Sequence, residues 1–149
     1  MPLHFDLAAG TVAGQPILGR TVAAIRSAIG PPDYTERYAH RIDLGYGDKA
    51  APRVEVIFNG TAWALEFADP SDLEAKLGRV LALTPQLLQQ RIATAYAGVF
   101  RLARSYRCDR KGCFGLFFNQ DGSLRVIFGI SHGARYVGLQ LTHPPPTGG

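Results

Sequence analysis

Arg101–Leu141 reads RLARSYRCDRKGCFGLFFNQDGSLRVIFGISHGARYVGLQL, and its punctuation decides the fold. Cys108 and Cys113 enclose Asp-Arg-Lys-Gly, Gln120–Ser123 is Gln-Asp-Gly-Ser, and Ser131–Gly133 is Ser-His-Gly. Turn formers at these three places separate four runs rich in β-branched and aromatic residues. The spacing predicts four short strands joined by three tight turns. The stretch also holds both cysteines and five units of net positive charge: Arg101, Arg104, Arg107, Arg110, Lys111, Arg125 and Arg135 against Asp109 and Asp121.

Everything upstream reads as material that covers or extends that sheet. Residues 3–18 have an extended look, with Leu3, Phe5 and Leu7 alternating with His4 and Asp6 before Gly10, Gly14 and Pro16 break the run. Val22, Ile25, Ala28 and Ile29 then fall at helical spacing, with Thr21 as N-cap and Gly30-Pro31-Pro32 as the stop. From Tyr38 the period changes to two. Tyr38, His40, Ile42, Leu44 and Tyr46 share one face of a predicted strand, and Val54–Phe58 and Ala62–Phe67 follow it. Asn59-Gly60 supplies a two-residue hairpin that needs φ > 0 at both positions.

Ser71 and Glu74 form a capping box for a short helix over about 72–77. Thr84-Pro85 opens the longest helix, where Leu88, Ile92, Tyr96 and Val99 make an apolar stripe with Leu87 and Ala95 at its edge. The order is therefore helix–meander, twice, over about 17–68 and 84–142. The expected class is α+β: antiparallel β-meanders with helices packed on one face, in a single domain over 1–142, with the Pro/Gly-rich 143–149 as a loose tail.

Thr21–Asp33, TVAAIRSAIGPPD, resembles the first helix of the repeat found in β-lactamase inhibitory proteins and in small bacterial outer-membrane assembly lipoproteins. In those families a short helix ends in Gly-Pro or Gly-x-Pro and leads into a small antiparallel meander. The resemblance is specific over these residues and architectural over the rest. It implies a protein-binding role without catalysis, using the concave face of the sheet.

Composition bounds the remaining readings. The 149 residues, 46% hydrophobic and 19% charged, suffice for one packed core. No run of about eighteen apolar residues is present, so no membrane span is expected. The N-terminus shows no basic region followed by an apolar core, which points to the cytoplasm; an exported protein lacking its signal is the alternative. The net charge of +4 is polarised, because residues 1–100 carry nine Lys/Arg against ten Asp/Glu. Arginine dominates the basic end, and its planar fork suits carboxylate and phosphate.

Three motifs could carry chemistry. Cys108-Asp-Arg-Lys-Gly-Cys113 is compatible with a disulfide, a reduced pair or a redox or metal role, although His4, His40, His132 and His143 lack ligand spacing from it. Gly129-Ile-Ser131-His-Gly133 matches G-x-S-x-G, but the nucleophile elbow needs a helix after the serine, and Arg135–Leu141 reads as a strand. Asp43, Glu55 and Glu66 belong on the solvent face of the first meander, where strand pairing could bring carboxylates together. No phosphate loop occurs, and no cofactor or metal is expected.

The sequence therefore points to a non-enzymatic protein-binding module of inhibitor, immunity or assembly-accessory type. Arg104, Tyr106, Arg107, Arg110, Lys111, Arg125 and Arg135 are the expected contacts for an acidic protein, with Arg104 and Tyr106 sharing one face and Arg125 and Ile127 another pair on one face. Nucleic-acid binding by the same basic sheet is the alternative, and an enzyme with an unrecognised site stands third.

Overall fold

A computed structural model describes residues 5–48, 51–67, 77, 83–131 and 134–143; the side chains of 48, 51–53, 67, 131, 134 and 135 lie outside that description. The chain is α+β. Three two-residue strands, β1 (Phe5–Asp6), β2 (Thr11–Val12) and β3 (Gln15–Pro16), form a small sheet, so the extended N-terminal look becomes three fragments. Helix α1 (Val22–Ile29) precedes β4 (Tyr34–Arg37), β5 (Ile42–Asp48), β6 (Ala51–Asn59) and β7 (Thr61–Phe67). Helix α2 (Pro85–Ala95) precedes β8 (Phe100–Asp109), β9 (Gly112–Asn119), β10 (Leu124–Ser131) and β11 (Ala134–Leu141).

The two meanders join edge to edge through their last strands, giving one eight-stranded antiparallel sheet in the order β4-β5-β6-β7-β11-β10-β9-β8. Each unit is helix plus four strands. The first unit thus has one strand more than its periodicity predicts. Tyr34–Arg37 is the extra strand, and residues 38–41, read above as part of the next strand, form the turn between β4 and β5. The alternation of Tyr38 and His40 is continued by Ile42 only in the sequence; the chain reverses between them.

Both helices begin as their caps dictate. Thr21 Oγ1 accepts from the Ala24 N–H, and Thr84 Oγ1 from the Leu87 N–H, each at 3.2 Å. Gly30 ends α1 at φ +93°, and the Tyr46 hydroxyl donates to its carbonyl at 3.0 Å, tying the helix end to β5. Ile25 of α1 and Leu88 and Ile92 of α2 are fully buried. They pack into one core with Leu44, Val56, Leu65, Leu139, Val126 and Phe117, so both helices serve a single sheet face. Val99 is 37% exposed and leaves the stripe, because the helix ends at Ala95 and the chain turns through Gly98 at φ +81°. The short helix expected over 72–77 lies outside the described residues except for Leu77, which is buried in the core.

The Asn59-Gly60 hairpin differs from the expected two-residue form. Asn59 pairs directly with Thr61, and only Gly60 takes positive φ. The odd residue is absorbed next door: Ile57 pairs with Ala64 and Phe58 with Ala62, which leaves Trp63 unopposed as a bulge.

Candidate functional site

Because directly paired residues of an antiparallel sheet share a face, the register fixes what the side opposite the helices presents. One row runs Glu36, Asp43, Ile57, Ala64, Gln140, Arg125, Phe118, Arg101 across all eight strands. Its neighbour runs Tyr34, Gly45, Glu55, Glu66, Gly138, Ile127, Leu116, Arg104. In both rows the carboxylates fall on β4–β7 and the guanidinium groups on β8–β11. The outer face is bipolar.

On the basic half, Arg125, Arg104 and Lys111, with the carboxylate Asp109 among them, surround a pocket of about 400 Å³, floored by Leu116, Ile127 and Gln140 and walled by Trp63 and Phe114. Trp63 reaches it from the β7 bulge. Arg125 Nε donates to Gln140 Oε1 at 2.8 Å, which sets the plane of its guanidinium. Arg104 lies over the Phe114 ring, 4.1 Å from its centroid, and donates to Asp109 at 2.8 Å. Its side chain is only 18% exposed, and its Nε is buried without a partner. Arg101 covers the Phe118 ring at 5.6 Å. The aromatic faces of β9 are thus occupied by the protein's own arginines.

Cys108 and Cys113, directly opposed in register, are joined as a disulfide that closes the β8–β9 hairpin. Asp109 accepts from the Lys111 N–H at 2.8 Å inside this tip. That bond, followed by the one from Arg104, holds its carboxyl below the usual aspartate range. Arg110 and Lys111 are exposed at the tip.

Tyr106 departs from the expected surface. Register shifts between Leu102 and Arg104 and again between Arg104 and Arg107 break the period of two along β8. Arg104 therefore stays on the outer face while Tyr106 turns to the helix side, where its ring packs on Phe128 at 6.4 Å and its N–H donates to Gln89 of α2 at 2.7 Å. Arg107 is exposed and pairs opposite Phe114. Arg125 and Ile127 share the outer face as expected. Arg135 lies in β11 opposite Ile130, with its side chain outside the described residues.

The acidic half is organised differently. Asp43 is 3% exposed, gripped by Arg41 through two bonds of 2.7 and 2.8 Å, so it is not the solvent-facing acid the alternation suggests. Glu55 and Glu66 sit directly opposite each other. The Tyr34 ring lies across Gly45, whose missing side chain makes room for it, and its hydroxyl donates to Glu55. Burial, then the Glu55 charge, pushes the Glu66 carboxyl above its ordinary range, partly opposed by Arg41. Burial and the Glu55 bond push the Tyr34 hydroxyl far up. A raised carboxyl beside a second carboxylate suits proton transfer, yet neither residue lines either described cavity. Ser131 ends β10, and β11 follows it rather than a helix, so the G-x-S-x-G stands in a hairpin and not an elbow. Among the described residues no group of three or more His, Cys, Asp or Glu could hold a metal, and no helix is long and apolar enough to cross a membrane.

These features define an α+β protein whose eight-stranded sheet is covered by helices on one side and bears opposed fields of charge on the other. No family model and no curated protein sequence matches the chain. Among solved structures it is similar to a cysteine-rich secretory protein from Staphylococcus aureus subsp. aureus Mu50, at 11% identity and a TM-score of 0.35. The match covers 93% of this chain and 51% of that one, so the chain spans about half that protein's length. A superposition this loose carries no argument about fold or function.

Proposed function

We propose that the protein is a binding module that docks an acidic protein on the basic half of its outer sheet face. The observation that carries this reading is the pocket between Trp63 and Phe114, where Arg125 and Lys111 form no ion pair among the described residues. An acidic side chain of the partner would enter beside the indole, with Arg125 held ready by Gln140. Preset donors reduce the ordering cost of association. Arg107 and Arg110 extend the same charge toward the hairpin tip. The repeated helix–meander plan supports the resemblance to β-lactamase inhibitory proteins as an expectation about role, namely partner capture without chemistry. The occupied faces of Phe114 and Phe118 favour a protein over single-stranded nucleic acid, which stacks its bases on free aromatic rings.

The disulfide supports residence in an oxidising compartment over the cytoplasm. Thiol titration of protein isolated from its native cell checks this: no reactive thiol before unfolding is expected.

Charge reversal at Arg110 and Lys111 should weaken capture of the partner at least tenfold without lowering the melting temperature, since both side chains are exposed. The readout is affinity capture from the native organism, followed by titration calorimetry with the identified acidic protein. Undiminished binding sinks the reading. Binding of a single-stranded oligonucleotide that collapses between low and physiological salt would replace it with the nucleic-acid one.

A further inference from the structure

The outer face carries two matched halves about one seam. Its centre, where β7 meets β11, pairs Ala64 with Gln140 and Glu66 with Gly138, with Ile57 and Ile127 one strand further out. Carboxylates lie to one side of it and guanidinium groups to the other. The duplicated helix–meander plan makes the halves equal in strand number, so Glu55 on β6 and Arg125 on β10 lie equally far from the seam, as do Glu36 on β4 and Arg101 on β8.

Glu55 and Glu66 are the feature that monomer packing leaves unexplained. Like charges directly opposite in a ladder destabilise it, and neither carboxylate has an ion pair among the described residues. Among the described side chains, Arg41 is the cation acting on Glu66, and it is committed to Asp43 through two bonds. On the other half, Arg107, Lys111 and Arg125 are likewise without ion pairs among the described residues. Among the described side chains each half holds in excess what the other lacks, and the width of the sheet keeps them apart. Glu55 on β6 and Arg125 on β10 stand three strand spacings from each other, roughly 14 Å at the usual interstrand distance.

We infer that the occupant of this face is a second copy of the chain, docked face to face about a two-fold axis that runs along the β7–β11 seam. That operation lays β4–β7 of one copy over β8–β11 of the other, and an isologous interface repeats the contact on both sides of the axis. Glu55 on β6 then lies over β10 of the second copy, where Arg125 is the nearest cation to it and to Glu66, and Arg101 on β8 lies over Glu36 on β4, while Ala64 and Gly138 at the seam permit close approach. An axis along the strands is required. A two-fold axis across them would set acid on acid. The face also supplies its own specificity, because a copy slid by half the sheet's width loses the charge match. This inference does not rest on the acidic-partner reading. The two share Arg125 and Lys111, so self-docking would compete with a partner and a partner would split the dimer.

Sedimentation equilibrium of the full chain tests it. At about 0.05 M salt the protein should be dimeric, and at about 1 M, where screening reaches within roughly 3 Å, the dimer should weaken at least tenfold. Glu55→Lys and Arg125→Glu should each sediment as monomers with unchanged far-ultraviolet circular dichroism. Mixed in equal amounts, they should recover a heterodimer, because both contacts across the axis then join opposite charges, one native and one reversed. If Glu55→Lys does not fold, the double variant Arg107→Glu/Lys111→Glu, altered only at exposed positions, should lower self-affinity at least tenfold. A wild-type monomer at low salt overturns the inference. So does a dimer that survives charge reversal, or two folded monomeric variants that fail to pair. Capture of an acidic protein is read separately, in a binding assay on the Arg110 and Lys111 variant, and a monomeric wild type leaves that reading standing.

Discussion

On the helix-covered side, Thr35, Leu44, Val56 and Leu65 of the first meander continue into Leu139, Val126, Phe117 and Leu102 of the second, and the central residues of that row belong to one core. On the outer side the same strands diverge. The first meander bonds two of its acids within the chain, Asp43 to Arg41 and Glu55 to the Tyr34 hydroxyl. The second spreads arginines over aromatic rings and projects a disulfide-closed tip. Burial constrains the inner rows to be alike because both must fill one layer against helices. No such demand acts on the outer rows, so that is where the units could specialise, and where binding should be sought.

The difference extends to how the strands approach one another, and the largest expected effect breaks the comparison there. A Cβ at Gly129 would stand 2.3 Å from the Cys113 carbonyl oxygen and 3.1 Å from Phe114 Cα, both backbone. The ladder between β9 and β10 must part to admit it. At Gly45 the obstruction is the Tyr34 ring, at 1.9 Å, on an edge strand. That ring can swing out at the loss of its contact and its bond to Glu55. Gly129→Ala should therefore cost about 3 kcal/mol or more and Gly45→Ala about 1–2 kcal/mol, read by urea unfolding with Trp63 fluorescence as the probe. Equal losses would show that the first meander is packed as rigidly as the second.

How much of this was legible beforehand follows the physics of each element. Helix starts were readable because Thr21 and Thr84-Pro85 act locally, through side chains that accept from the first turn. The hairpins of the second meander were readable because their turns need particular residues. Strand β4 was not, since Tyr34–Arg37 is an edge strand whose pattern is satisfied by pairing with Gly45 and Leu44 rather than by its own periodicity. The face of Tyr106 was lost for the same kind of reason: two register shifts in β8 depend on the partner strand, and period-two counting cannot see them. The basic residues of β8–β10 were legible as charge. Trp63 was missed as their wall, and its signal, a bulge beside Asn59-Gly60, exists only once the ladder is known. The opposed Glu55 and Glu66 were visible as candidates but not as a pair, because pairing is a property of register.

The disulfide offers a smaller test. Its sequence separation of 5 closes a short loop, for which chain entropy gives about 2 kcal/mol. Cys108→Ser/Cys113→Ser should lower the urea midpoint accordingly with little change in slope. Amide exchange should quicken first at the β8–β9 tip, while the β6–β7 hairpin, which has no such closure, stays as it was. A loss shared equally by both hairpins would mean the tip is coupled to the whole sheet. Loss of fold altogether would mean that the second meander depends on its covalent link, and the two units would then differ in how they are held together as well as in charge.

The smallest effect concerns Glu66 and decides whether the acidic half is strained in the single chain. Burial and the Glu55 charge raise its folded-state pKa above the unfolded value of about 4.3. A carboxyl raised in this way favours the protonated folded form. Its contribution is fully present below about pH 4 and is lost as pH rises through the raised folded value. Glu66→Gln removes that loss. At neutral pH the variant should be more stable by about 0.2–1 kcal/mol, the size of a cross-strand pair, and the gain should vanish below about pH 4, where Glu66 is protonated in both states. The melting measurement belongs at low protein concentration and high salt, where self-docking is weakest. Under the opposite conditions the same substitution removes a charge that the second copy is inferred to meet, and the dimer should loosen even as the monomer gains. A variant that is less stable as a monomer at neutral pH would show that the Glu66 carboxylate is already held by a cation within its own chain, and the unpaired-acid argument for self-docking would weaken with it.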